Sequence, residues 1–509
     1  MVRRIVVLAL VALLGTAFMA YAETQNIKVS GDLESMVVFR DHFDLSGKNQ
    51  LTISPLIFQN GVSSNLFLTI GRIKIDADLT DNVSATMRLI GQYNWGKSDT
   101  GPIPRDSDTN VDIDLANVTL KEFLYSPLTL IIGRQELHYG NDMIIGDSDT
   151  NRFGVDGNIP GDLNKRKSFD AIRAILDYNP LTVDLVFSKI NATAALNTGA
   201  QLRFGIPGLG DLNGAYLERA GDRLDDDSDL FGINAKYDFG KWNTVGEAYY
   251  WYRRIGPRAF NSYTLGLITG GGDYKSDQLH TVGARIAMEP KEGLNFQVEA
   301  AMQQGRYNGF TDFWGPGGVG THATTNHADR SAWALETSLG YTWKKAKYVP
   351  SLTAMYAYFS GEDIAWGVYT SPMKYRGWDP MFENQTFGHI ANALFPQSGM
   401  QLIGLTGTMK PREDITIKGE YYNYFLTSTN SSDENGFGLP SYYYDGLQML
   451  GMEEGKKHLG HEIDVTLTYD YTEDVQLSLL SGIFIPGSVF MNANNNTASE
   501  IIGSVKVTF

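Results

Sequence analysis

No cysteine occurs among the 509 residues, which excludes a disulfide framework, a lipid-modified cysteine anchor and haem attachment through the chain's own thiols. Beyond residue 22 no apolar run is long enough for a spanning helix, so a membrane-embedded chain of this kind has to be a closed β-barrel; the competing reading is a secreted soluble β protein. Surplus positive charge is missing too. The formal net charge is −16, which argues against nucleic acid as a partner. Proline is scarce at 17, whereas 54 glycines and 12% aromatics suit strands with aromatic girdles and glycine-bearing turns. Mean hydropathy is mildly negative, as expected where only every second side chain meets lipid.

The N-terminus reads as a secretory signal over residues 1–22. Arg3 and Arg4 precede the apolar stretch 5–19, and Ala20-Tyr21-Ala22 has the small-x-small form of a cleavage site. The mature chain is then expected to be a single barrel over 23–509, beginning at Glu23.

Apolar/polar alternation recurs in eighteen segments: 26–40, 62–79, 83–95, 111–123, 128–139, 168–178, 181–190, 230–239, 242–254, 279–289, 294–306, 331–343, 349–360, 400–410, 415–427, 459–470, 475–486 and 498–509. Short turns, such as Thr80-Asp81-Asn82 and Asn179-Pro180, alternate with long loops, such as 140–167, 191–229, 255–278, 307–330, 361–399 and 428–458. This predicts an all-β, antiparallel up-and-down transmembrane barrel of about eighteen strands, with short periplasmic turns and long extracellular loops.

Alternation also assigns faces, because the lipid-facing set must be apolar while the lumen set can be charged. Phe67, Ile73, Ile75, Met87 and Leu89 are expected to face lipid, and Arg72, Lys74, Asp76 and Arg88 the lumen. The same rule places Arg134, Glu136, Arg173, Asp184, Lys236, Glu247, Arg253, Arg285, Gln297, Glu299, Glu336, Lys418, Glu420, Glu462 and Asp464 inside. A structural ion pair is the competing reading for each.

The blocks Gly133-Arg134-Gln135-Glu136-Leu137, Tyr139-Gly140, Gly146-Asp147 and Arg166-Lys167-Ser168-Phe169-Asp170-Ala171-Ile172-Arg173 resemble the hallmark hairpin of the alginate export family. Leu459-Gly460-His461-Glu462-Ile463-Asp464, with Ile485-Pro486-Gly487 downstream, is a second match. The resemblance implies an 18-stranded outer-membrane barrel passing an anionic polysaccharide through an arginine-lined constriction, with Arg134, Arg173, Glu462 and Asp464 as matching positions. Terminal Phe509, after Val505 and Val507, resembles the signal read by the outer-membrane assembly machinery.

Asp106-Ser107-Asp108-Thr109-Asn110 and Asp147-Ser148-Asp149-Thr150-Asn151 each carry the first half of a calcium loop without its glycine and distal glutamate. A solvated polar loop is the default, and bound Ca²⁺ the alternative to no cofactor. Trp366, Tyr369, Tyr375, Arg376 and Trp378 could offer stacking faces to sugar rings, against a reading as girdle or loop packing. No Ser/His/Asp order stands out, and His461 reads as part of its strand.

These features predict a non-enzymatic outer-membrane channel, set in lipid and lipopolysaccharide, that passes an anionic or sugar-like solute by passive diffusion. The rivals are a structural barrel sheathing an electron-transfer or secretion partner, told apart by co-purification of a cytochrome, and an outer-membrane hydrolase.

Overall fold

The computed structural model describes residues 26–43, 45, 63–95, 111–148, 159–191, 227–256, 258–264, 267–274, 276–307, 328–361, 374–428, 455–490 and 495–509. Its strands are β1 (Asn26–Asp41), β2 (Ser63–Thr80), β3 (Val83–Asn94), β4 (Val111–Leu120), β5 (Leu128–Gln135), β6 (Phe169–Asp177), β7 (Leu181–Asn191), β8 (Asp227–Asp238), β9 (Val245–Ile255), β10 (Arg258–Thr264), β11 (Leu267–Tyr274), β12 (Asp277–Lys291), β13 (Leu294–Tyr307), β14 (Ala328–Thr342), β15 (Ser351–Phe359), β16 (Lys374–Tyr375), β17 (Met400–Arg412), β18 (Ile415–Leu426), β19 (His458–Asp470), β20 (Val475–Pro486) and β21 (Ala498–Thr508). Setting aside the separate β10–β11 hairpin and the two-residue β16, eighteen strands form the wall. All pair antiparallel with their neighbours. β1 meets β21 in register from Asp32↔Thr508 to Asp41↔Ser499, so the sheet closes and leaves no edge.

Period-two alternation fixes which way each side chain points. On β13, Met302 is exposed on the outer wall while Glu299, Ala301 and Gln303 are buried inside. Ile73, Ile132, Ile172, Val282, Ile463 and Ile501 likewise stand exposed outside, where lipid replaces water. Among the described residues no helix is long and apolar enough to cross a membrane; the strands do the crossing.

The expected segment 128–139 stops at Gln135. The Gln135 side-chain amide donates to the carbonyls of Gly133 (3.2 Å) and Ala171 (3.1 Å), and the chain then turns inward so that Leu137 and Tyr139 are buried.

Two long connections fold into the barrel rather than over it. In the first, Gly146 N–H donates to Phe382 O (2.7 Å) of the second, Phe382 N–H to Ile144 O (3.0 Å), and Asn384 N–H to Asp142 O (2.9 Å). The zip they form is apolar: Met143, Ile144, Ile145, Phe382 and Phe387 share one core with Trp251 and Phe359 of the wall. The second connection also carries the one-and-a-half-turn helix α1 (His389–Leu394), whose Ile390 and Leu394 join that core. Lower in the first connection, Ile159 and Leu163 cover Val38, Leu68, Ile70 and Ile90 on β1–β3.

Candidate pore and its charged wall

Seven inward-facing ionic residues lie close together on β1 to β4 and the start of the first inward connection. Arg72 donates from Nε to Asp32 (2.9 Å), Lys74 pairs with Asp76 (2.9 Å), and Arg88 reaches both Asp114 (2.5 Å) and Glu136. Lys74 and Arg88 are directly opposite in the β2–β3 register, so the three cations form one cluster, each held by its own acid. The sequence singled out the cations; Asp32 and Asp114 were missed, although Asp112 and Asp114 alternate on β4. Further round the wall Arg173 pairs with buried Asp184, Arg285 with Glu247 (2.9 Å) and Gln297 (2.7 Å), and Lys418 with Glu420 (2.7 Å).

Several acids expected to line the path are inside the barrel yet sealed from water. Glu299 accepts from Asn141 N–H (2.8 Å) and Tyr249 OH (2.7 Å), and Glu336, its β14 partner in register, accepts from the side chains of Asn141 (3.2 Å) and Gln385 (2.7 Å). Glu462 accepts from Ile390 N–H (2.7 Å) and Ala391 N–H (2.8 Å) at the start of α1, and Asp464 from His389 N–H (3.3 Å). These carboxylates hold the inward connections in place. Burying these four acids, each 3% exposed or less, leaves Lys74, Lys165 and Lys418 with 37%, 39% and 42% of their side chains exposed, alongside the wetted acids Asp76 and Glu136 at 35% and 36%.

Asp379 fastens the second inward connection. Burial alone would raise its carboxyl, but the charges of Arg253 and Arg330 outweigh that and hold it well below the usual carboxylate range. Arg253 donates to both oxygens (3.1 and 2.5 Å) and Arg330 to one (2.7 Å).

Two expectations about these side chains are corrected. Arg134 does not face the lumen. It is in register with exposed Ala116, shares its face with Ile132 and Ile172 on the outer wall, and there forms a two-pronged pair with Asp170 (2.8 Å each). Tyr375 and Trp378 offer no stacking face: Tyr375 is buried against Tyr307 with rings 3.8 Å apart, and Trp378 is buried beside Phe359. Arg376 is exposed, and Trp366 and Tyr369 lie outside the described residues. Asp147 is committed to Lys167 (2.7 Å). The remaining calcium candidates Asp106, Asp108, Asn110, Asp149 and Asn151 lie outside the described residues, among which no group of three or more His, Asp or Glu is arranged to hold a metal.

No curated protein matches the chain in sequence. Two solved structures share its fold: OccK8 (OprE) of Pseudomonas aeruginosa, 10% identical, covering 96% of this chain and 98% of its own with a TM-score of 0.50, and OccAB1 of Acinetobacter baumannii, 10% identical, covering 96% and 99% with a TM-score of 0.51. Residues 215–504, more than half of the chain, match the family described as Alginate export. A closed, apolar-walled barrel whose interior is charged, together with that match, establishes that this chain belongs to the alginate export family of bacterial outer-membrane β-barrels.

Proposed function

We propose that the barrel conducts an anionic, sugar-like solute, a uronate-type saccharide or a small organic anion, by passive diffusion. The family is one of solute channels. The observation that carries the finer reading is the uneven wetting of the wall. The chain is acidic overall, but the inward connections bury Glu299, Glu336, Glu462 and Asp464, so that Lys74, Lys165 and Lys418 remain among the water-facing charges. Charges in a wide, wet lumen act on passing ions within about 10 Å at 0.1 M salt, and a carboxylated sugar would exchange water for these ammonium groups and the neighbouring hydroxyls.

Planar-bilayer recording tests the proposal. The reversal potential under a salt gradient should show anions favoured, and a uronate oligosaccharide should block the current more than a neutral one of equal length. Lys74→Glu with Lys418→Glu should move the reversal potential towards cations. A cation-favouring wild type, or equal block by both sugars, overturns it.

A further inference from the structure

The outer wall carries a row of charge as well. Arg134, Asp170, Lys189 and Asp229 succeed one another in register on β5 to β8. Arg254, Gln278, Arg306 and Asp329 continue the row on β9, β12, β13 and β14. The first four neutralise one another, Arg134 with Asp170 and Lys189 with Asp229 (2.8 Å). Further on the pattern breaks, because Gln278 stands where another acid would continue the alternation.

Arg254 and Arg306 are exposed, flank Gln278 on either side, and among the described residues neither guanidinium has an ion-pair or hydrogen-bond partner. Their strands are two spacings apart, about 10 Å between backbones, which two long side chains span easily. Both sit one residue from the ends of their strands, at the long-loop, extracellular rim. Below them on the same face lie the rings of Tyr252 and His280 (centroids 4.6 Å apart), with Tyr250 OH bonded to His280 Nδ1 (2.8 Å), and below these the exposed side chains of Val282 and Met302. Cation, then aromatic, then aliphatic is the order of a lipid seen from its phosphate to its chains. Among the described residues of the row, Asp229 beside Arg254 is spent on Lys189, and Asp329 beside Arg306 opposes an anion.

We propose that Arg254, Gln278 and Arg306 form a seat for the phosphate of an outer-leaflet phosphorylated glycolipid, held on the outside of the barrel. The guanidiniums supply forked donors to the phosphate oxygens and Gln278 an amide N–H, while the ring pair packs against the sugar.

The test uses the full-length barrel incubated with vesicles of phosphatidylcholine containing either bisphosphorylated lipid A or its dephosphorylated form, washed in detergent, and assayed for retained glycolipid. Wild-type protein should retain the phosphorylated form selectively. Removing each arginine, Arg254→Ala and Arg306→Ala, should lower retention by about fivefold, and Asp329→Asn should raise it. Arg134→Ala with Asp170→Asn, which removes a neutral pair of the same face on β5 and β6, away from the seat, should change nothing. Heat-modifiability checks that every variant is folded, and Arg254→Lys and Arg306→Lys, which keep the charge, should lose less than the alanines. Equal retention of the two glycolipids, or losses from Arg134→Ala with Asp170→Asn as large as from the arginine variants, overturns the proposal.

Discussion

Lys74 and Arg88 face each other directly across β2 and β3. Like charges in register repel, and the wall resolves this by drawing them apart: Lys74 leans to Asp76 on its own strand, and Arg88 to Asp114 and Glu136 on the other side. The two cations therefore differ in kind. Lys74 and Asp76 are both more than a third exposed, whereas Asp114 is fully buried.

Replacing Arg88 by Ala strands that buried carboxylate, a loss of about 3–5 kcal/mol for a buried pair broken on one side. The melting temperature should fall clearly, and adding Asp114→Asn should recover part of it. Lys74→Ala breaks an exposed pair worth about 0–1 kcal/mol. It should leave the melting temperature nearly unchanged while shifting the reversal potential towards cations. Equal melting-temperature losses in the two variants would show that the pairs are not distinguished by burial.

Arg134 offers the converse experiment. Because it shares the outer face with Ile132 and binds Asp170 there, Arg134→Ala should leave ion preference untouched. Its cost should appear in stability, and Asp170→Asn should couple to it in a double-mutant cycle. A shift in reversal potential comparable to that of Lys74→Ala would put the side chain back in the lumen.

The wall was legible because lipid on one side and water on the other impose a period of two on every strand, so the faces of Arg72, Lys74 and Arg88 follow from Ile73, Ile75 and Met87. The error at Arg134 has a physical origin. Alternation sends an isolated charge inward, yet an arginine neutralised by a neighbouring aspartate on the same face can stand outside. The inward connections carry no such period. Tyr375, Trp378 and Phe382 look the same in sequence whether they line an entrance or pack a core, and only the zip between residues 144–146 and 382 decides it. The burial of Glu299 and Glu462 was hidden for the same reason, since their covers come from Asn141 and α1, far away in the chain.

Trp251 lies flat across Gly232, its partner in register, to reach the ring of Tyr139 at 4.9 Å. A Cβ on Gly232 would stand 1.9 Å from two ring carbons, so Gly232→Ala must displace the indole and with it the first inward connection. Overpacking of this kind costs about 1–3 kcal/mol. Gly419→Ala, where nothing lies within 4 Å, is the matched control and should be neutral. Thermal melts of the two variants that coincide would refute the contact.

The Asp379 latch makes the last prediction. Its carboxylate takes charge-assisted hydrogen bonds from Arg253 and Arg330, and Gln303 clamps the backbone on both sides, accepting from Asp379 N–H (2.9 Å) and donating to its carbonyl (2.7 Å). Asp379→Ala takes from two buried guanidiniums their nearest acid among the described residues and leaves Asp277 at 3.9 and 3.6 Å. The second inward connection should loosen, so that single-channel conductance rises and the melting temperature drops. Asp379→Asn keeps the shape without the charge and should fall between. The pH dependence follows from the sign of the shift. A carboxyl lowered in the folded state contributes its full stabilisation above its unfolded value, about 3.9, and loses it only as pH falls through the lower folded value. The conductance gap between wild type and Asp379→Ala should therefore persist as pH is lowered from neutrality to mild acidity. A gap that closes while the solution is still well above the ordinary carboxylate range would show that Asp379 does not hold the connection.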